Sequence, residues 1–333
     1  MHKLLEDNHG RKASYMRISV TDRCNLRCTY CAGEGQEFVP HSDILRYEEI
    51  LELMDMATRL GMVKFRFTGG EPFVRKGFAD FLIAAAARFP GVDMCVTTNA
   101  TLIGEHVDRL ASSGVRRVNI SLDTLDPEKF HRVTGFDKYD VVRANIDRCL
   151  DAGMVVKVNA VAMKGINDGE LPGFIEFARS RPLDMRFIEF MPVGLETGWS
   201  DHSVWKAEDI LAQASALAEL VPSGGEGNVP GGPARTFDIV GGQGRIGVIS
   251  PYTNHFCNTC NRLRVTSDGN LRTCLFSDKV YRLRKVLRHP RLGIPAVERI
   301  ILCASRHKPM GYKLLERMVG QGVCKTRMAS IGG

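Results

Sequence analysis

The chain has 333 residues, 44% hydrophobic and 25% charged, which supports a sizeable core and exceeds a minimal domain. No apolar run reaches about 18 residues, so no membrane span is expected. The net charge of +7 suits an anionic small molecule as well as a nucleic acid and decides neither. The opening stretch M-H-K-L-L-E-D-N-H-G offers no apolar leader core and no cleavage site, so a cytoplasmic location with reduced thiols is the expectation.

Along the chain one unit recurs six times: a short β-branched run, a polar loop, then an amphipathic helical segment. The runs are YMRISV (15–20), VKFRFT (63–68), VDMCVTT (92–98), VRRVNISLD (115–123), VVKVNAV (155–161) and LDMRFIEF (183–190). Between them, 47–60 places Ile50, Leu53, Met54, Ala57 and Leu60 on one face, and 77–89 does the same with Phe78, Phe81, Leu82, Ala85 and Phe89. Segments 104–113, 139–152 and 168–180 repeat the pattern, and Gly61, Gly114 and Gly153 follow helices as expected C-caps.

Strand alternating with helix implies parallel strands and right-handed crossovers, either as an open doubly wound sheet or as an incomplete barrel. The strands favour the barrel. Arg17 and Ser19 alternate with Ile18 and Val20, Arg66 and Thr68 with Phe65 and Phe67, Asn119 and Ser121 with Val118 and Ile120, Lys157 and Asn159 with Val156 and Val158. A parallel sheet covered on both faces would be apolar throughout. One polar face carrying Arg17, Arg66 and Lys157 is expected to line a lumen that holds an anion.

Near 221 a Gly/Pro-rich stretch, V-P-S-G-G-E-G-N-V-P-G-G-P (221–233), separates an N-terminal unit (1–220) from a C-terminal region (234–333). That region has strand-like runs TFDIV, RIGVIS and RLRVTS and a basic, partly helical tail.

Ten cysteines in such a chain point to metal or catalysis rather than disulfides. Cys24, Cys28 and Cys31 are spaced C-x3-C-x2-C, and Cys257, Cys260 and Cys274 are spaced C-x2-C-x13-C; Cys95, Cys149, Cys303 and Cys324 stand alone and read as core filler. A structural zinc site takes four protein ligands, for which Asp22 or His255 could serve as the fourth. A cubane iron–sulfur cluster also takes four, and with three one iron stays open for chemistry. Arg262 and Arg264 beside the second group suggest an anion held next to a metal site.

C-x3-C-x2-C after the first strand of a βα repeat, with T-G-G-E-P (68–72) after the second, resembles the signature of the radical S-adenosylmethionine (radical SAM) enzymes. The second cysteine group with N-R-L-R (261–264), and the tail M-A-S-I-G-G (328–333), resemble one family among them, the GTP 3′,8-cyclases of molybdenum cofactor biosynthesis. The resemblance implies a partial (β/α)6 barrel of the radical SAM type, followed by a C-terminal α+β region carrying a second Fe–S cluster. It implies two [4Fe–4S] clusters with three cysteine ligands each: Cys24, Cys28 and Cys31 for the first, Cys257, Cys260 and Cys274 for the second. Tyr30, Gly70, Ser121 and Met191 would contact S-adenosylmethionine. Arg17, Arg66, Thr97, Lys157, Arg262, Leu263 and Arg264 would contact GTP, and Arg17, Arg264 and the tail glycines Gly332 and Gly333 would serve catalysis. Thr97, not its neighbour Thr98, shares Cys95's side of the strand.

The implied reaction is hydrogen abstraction from C3′ of GTP by a 5′-deoxyadenosyl radical, then attack of C3′ on C8. The implied partners are an electron donor, cyclic pyranopterin monophosphate synthase downstream, and a second copy in a homodimer, with neither nucleic acid nor membrane. Three positions depart from the family: Ala32-Gly33 stands in place of Met-Pro after Cys31, Ala100 in place of Gly after Thr-Thr-Asn, and Gly77 in place of an acidic residue. Two rival readings are a radical SAM enzyme acting on a peptide or other anionic substrate, and a zinc-stabilised nucleic-acid-binding protein. The second rival would need aromatic residues interleaved with basic ones, and aromatics make up 8% here without an RNA-binding signature.

Overall fold

The structure is a computed structural model that describes residues 5–31, 37–194, 197–223, 233–317 and 324–331. A short ribbon, β1 (Leu5–Glu6) with β2 (Lys12–Ala13), precedes the main sheet. Six strands then alternate with helices: β3 (Tyr15–Ser19), β4 (Lys64–Thr68), β5 (Asp93–Thr98), β6 (Arg117–Ser121), β7 (Val155–Ala162) and β8 (Asp184–Glu189). They pair in parallel and in sequential order. A doubly wound sheet would reverse its strand order at some point, and this one does not. Right-handed crossovers made always in the same direction put all the helices on one face. These crossover helices leave the opposite face uncovered, and it is the polar one.

The helices α1 (Tyr47–Arg59), α2 (Phe78–Arg88), α3 (Val107–Ser112), α5 (Tyr139–Asp151) and α6 (Leu171–Arg179) lie where the periodicity puts them. The apolar stripes expected on α1 and α2 are buried, as are Phe65, Phe67, Val118, Ile120, Val156 and Val158 on the outward face of the strands. Gly61 and Gly153 adopt φ of 92° and 71°, in the left-handed region that ends a helix without a Cβ penalty. One helix, α4 (Pro127–Thr134), falls outside the six-unit pattern. It starts where the Asp126 side chain accepts from Lys129 N (2.9 Å) and Pro127 fills the first turn.

The C-terminal residues do not form a separate sheet. After α7 (Ala207–Leu217) come β9 (Leu220–Pro222), β10 (Arg235–Ile239), β11 (Arg245–Ile249), β12 (Arg262–Val265), β13 (Asn270–Arg272) and β14 (Tyr281–Arg282). β11 extends the sheet parallel to β8, and β12 extends it parallel to β3. Among the described residues the sheet therefore has twelve strands, ordered β14-β13-β12-β3-β4-β5-β6-β7-β8-β11-β10-β9. The expected division near 220 separates stretches of chain that share one sheet, and most of the Gly/Pro stretch (224–232) lies outside the described residues. α8 (Leu283–Leu287) and α9 (Gly293–Arg306) pack on the helical side, and α10 (Gly311–Arg317) and α11 (Met328–Ile331) complete the chain. Arg288 ties this region to α1: its Nε donates to Glu49 Oε1 at 2.6 Å and its Nη2 to Glu49 Oε2 at 2.9 Å. No helix among the described residues is long and apolar enough to cross a membrane.

Candidate active site

The polar face lines a cavity of about 1240 Å³. Strand direction fixes what stands at its two ends. Cys24, Cys28 and Cys31 follow β3, at the C-terminal edge of the sheet. Cys257 and Cys260 precede β12, which runs parallel to β3, so they lie at the N-terminal edge. β13 turns back antiparallel to β12 and returns Cys274 to that same edge. The two cysteine groups thus sit at opposite ends of the cavity, separated by a five-residue strand, roughly 16 Å of chain.

At the first end the cysteine loop docks onto the end of β4. Gly70 N donates to Thr21 O (2.9 Å) and Glu71 N to Arg23 O (2.8 Å). A Cβ on Gly69 would stand 2.2 Å from Thr21 O, and one on Gly70 2.3 Å from Arg23 O. The two glycines therefore serve first the approach of the cysteine loop, not only that of a ligand. Glu71 is fully buried, and its carboxylate accepts from Phe73 N, Asn99 N and Thr98 Oγ1, which joins this loop to the turn after β5. Burial, with neighbouring sulfurs of the same group, pushes the Cys28 and Cys31 thiols up, Cys31 to about 11. Three thiols sharing one pocket in this way need a cation to become ligands.

Among the described residues no three His, Cys, Asp or Glu side chains converge on the position of a single ion. A zinc ion would gather its ligands at one point, whereas a cubane spreads three sulfurs over three irons. Neither candidate fourth ligand lines the cavity. Asp22 is buried and accepts from Val39 N (2.6 Å). The His255 ring bonds Pro251 O through Nδ1 (2.8 Å), stacks on Tyr312, and does not line the cavity. At the second end, a Cβ on Gly311 would meet Cys274 Sγ at 3.0 Å and Cys257 Sγ at 3.5 Å, so both sulfurs cradle the same bare backbone. Both groups fit iron–sulfur clusters on these grounds.

Between the ends runs a band of cations. Arg264, Arg17 and Arg66 are register partners across β12, β3 and β4. Burial, with neighbouring arginines, brings Arg17 well below its ordinary value and Arg264 down to about 10. Among the described residues Arg17 Nε is buried without a hydrogen-bond partner. Such a group of like charges calls for an anion. Arg66 donates to the Tyr15 hydroxyl and, through Nη1, to Thr97 Oγ1 at 3.2 Å. Thr97 and Thr98 both line the cavity, Thr97 half-buried and Thr98 buried with its hydroxyl spent on Glu71. Lys157 pairs with Asp184 (3.5 Å), which also holds Arg186 at 2.7 Å and Arg245 at 3.8 Å.

Tyr30, Gly70, Ser121 and Met191 line the cavity toward the first cysteine group. The Tyr30 hydroxyl donates to Asp123 Oδ2 (2.6 Å) and its ring meets Phe190 edge-on. Two expectations need correction. Arg262 and Arg264 line the cavity, but the Leu263 side chain is fully buried in the core, because a strand turns alternate side chains to opposite faces. Of the solitary cysteines, Cys95, Cys149 and Cys324 are buried while Cys303 is exposed. Sequence reasoning missed Arg186, although Asp184, Arg186 and Ile188 alternate with Met185 and Phe187 in the run it had found.

Gly332, Gly333, Ala32 and Gly33 lie outside the described residues. The segment leading to the tail glycines does not. Met328 and Ala329 line the cavity, and the Ala329 N–H bonds the Cys31 sulfur. Upstream, Asp278 accepts from Lys325 N (2.9 Å), Thr326 Oγ1 (2.7 Å) and Cys324 Sγ (3.1 Å), with Arg272 beside it.

Comparison with known proteins gives two family matches: the radical SAM superfamily over residues 18–178, and molybdenum cofactor synthesis C over residues 183–314. The GTP 3′,8-cyclase of Syntrophomonas wolfei is 40% identical over 98% of this chain and 99% of its own. That of Geobacter sulfurreducens is 41% identical over 99% of both. Among solved structures, Streptococcus suis SuiB bound to S-adenosylmethionine aligns with a TM-score of 0.63 over 92% of this chain and 69% of its own, at 15% identity, a likeness of fold.

Proposed function

The chain belongs to the GTP 3′,8-cyclase family of radical SAM enzymes, and on that premise we propose that it converts GTP to (8S)-3′,8-cyclo-7,8-dihydroguanosine 5′-triphosphate, the first step of molybdenum cofactor biosynthesis. The observation that carries this reading is two cysteine triplets at opposite ends of one cavity, with a band of arginines and lysine between them.

Cys24, Cys28 and Cys31 hold a first [4Fe–4S] cluster, and Tyr30, Gly70, Ser121 and Met191 wall the adjoining space for S-adenosylmethionine. When bound, these cofactors supply the radical hydrogen abstraction that the reaction needs. Cys257, Cys260 and Cys274 hold a second cluster at the far end. Arg17, Arg66, Lys157, Arg262 and Arg264 bind the nucleotide and its phosphates, and the bare Arg17 Nε is a donor waiting for an oxygen. Asp184 keeps Lys157 and Arg186 oriented until the more highly charged triphosphate competes for them. Thr97 is set in place by Arg66. Arg66 and Arg264 are buried in the cavity wall, where the low dielectric strengthens their charges. Arg17, Arg264, Gly332 and Gly333 are the catalytic set of this proposal. It further includes an electron donor, delivery to cyclic pyranopterin monophosphate synthase, a homodimer and a cytoplasmic location.

The test is anaerobic turnover of the reconstituted protein with S-adenosylmethionine and dithionite, with and without GTP. Both 5′-deoxyadenosine and GTP loss should appear only when GTP is present, and Arg264→Ala should abolish GTP loss with both clusters intact. Formation of 5′-deoxyadenosine while GTP survives would overturn the substrate and leave a radical SAM enzyme acting on another anion.

A further inference from the structure

Lys308, just after α9, is 4% exposed. Its Nζ donates to the Arg262 carbonyl and to Cys260 Sγ at 3.3 Å. No carboxylate among the described residues forms an ion pair with it; the charged groups that face it are the sulfurs of Cys260 and Cys274 and the guanidinium of Arg11. A buried ammonium without an anion is costly, and removing the partner of a buried charge is costlier still. The negative charge that makes this position tolerable must come from the thiolate set.

The placement is built, not incidental. Arg11 Nη2 donates to Lys308 O (2.7 Å) and Pro309 O (3.2 Å), and Arg11 Nη1 donates to Cys257 O (2.8 Å). Arg11 is itself fixed by Asp7, Nε to Oδ2 at 2.6 Å, with both side chains buried. One buried pair from the N-terminal ribbon thus holds a cysteine-bearing loop and the lysine-bearing loop in a fixed relation.

We propose that Lys308 is the resident counter-charge of the second cluster, positioned by the Asp7–Arg11 pair, and that it raises that cluster's reduction potential. A cation and hydrogen-bond donor at a ligand sulfur favours the state with one more electron. The inference rests on reading Cys257, Cys260 and Cys274 as cluster ligands. Lys308 acts through Cys260 and is a positioning residue.

The experiment uses the full chain carrying Cys24→Ala, Cys28→Ala and Cys31→Ala, so that only the second cluster is present. Iron and sulfide content, far-ultraviolet circular dichroism and an EPR-monitored redox titration are recorded for that protein and for its Lys308→Met and Lys308→Arg versions. The expected result is a lower midpoint potential with Met and a near-parental one with Arg. Loss of the cluster with Met but not with Arg, in a folded protein, would support the counter-charge equally. An assembled cluster with an unmoved potential in Lys308→Met would overturn the inference, and so would equal loss with Met and Arg. A parent protein that binds no cluster would sink the ligand reading first and the inference with it.

Discussion

Lys157→Met removes one cation from the middle of the cavity while keeping the length of the side chain. Burial, with Arg186 nearby, brings the Lys157 ammonium from its ordinary 10.5 down to about 8, and Asp184 only partly offsets this. Holding that charge costs the ligand-free protein about 3 kcal/mol. The folded pKa lies below the unfolded one, so the unfolded chain binds more protons between pH ~8 and ~10.4. Ligand-free stability therefore rises with pH across that window. GTP affinity moves the other way, because the phosphates need the ammonium. From pH 7.5 to 9 the protonated fraction falls roughly eightfold, and GTP affinity should fall by up to the same factor. Lys157→Met should weaken GTP binding by about 2 kcal/mol, some thirtyfold, at pH 7.5 and abolish the pH dependence. Anaerobic equilibrium dialysis with labelled GTP at several pH values measures both. The same pH slope in Lys157→Met as in the wild type would refute the reasoning, since the titrating group would then be another one.

Gly311→Ala should reduce total iron toward about half, read by iron and sulfide analysis, because its methyl group would crowd Cys274 Sγ and Cys257 Sγ. Asp278→Ala should free the 324–331 segment, seen as faster amide exchange there with little change in the melting of the core, and should cut turnover at least tenfold. Ala100 sits at φ 60° and is fully buried, where the family's usual glycine carries no Cβ penalty; Ala100→Gly should gain up to about 1 kcal/mol in chemical denaturation. Burial alone would raise the Glu49 carboxyl, yet Arg288 and the Arg46 N–H bring it down to about 2. The stability this supplies is present above the ordinary glutamate range and is lost as pH falls toward 2. Glu49→Gln should therefore lower stability at pH 7 by roughly 2 kcal/mol and flatten the acid limb of a pH-denaturation curve.

Much of the site was legible because strand alternation is local. Arg17, Arg66 and Lys157 could be placed on one polar face from the period of two, and the same rule gives the hydroxyls of Thr97 and Thr98 different partners, Arg66 and Glu71. That rule, applied to R-L-R, also predicts that Leu263 turns into the core, and applied to 183–190 it yields Arg186. α4 carries a readable start, Asp126 then Pro127, but is too short to declare a period. What no local pattern contains is pairing across most of the chain. That β12 joins β3, and that the second cysteine group consequently faces the first across the cavity, follows from register between distant strands. The Asp7–Arg11 hold on the Cys257 loop is invisible for the same reason.

The pairing of β12 with β3 also sets an order of assembly. On the ribosome, β3 to β8 emerge in the sequence in which they pair, so that part of the sheet can form as it is made. Its two outer edges cannot close then, because β11 and β12 belong to the last third of the chain. Until they arrive, β3 and β8 present bare parallel edges, the kind of surface on which unfinished chains stick to one another. The Cys24–Cys31 loop hangs from one of these open edges, while its counterpart is delivered with the strand that seals it. Iron offered early would find only one set of sulfurs. A chaperone or a maturation factor that acts on this protein has its work defined by that interval.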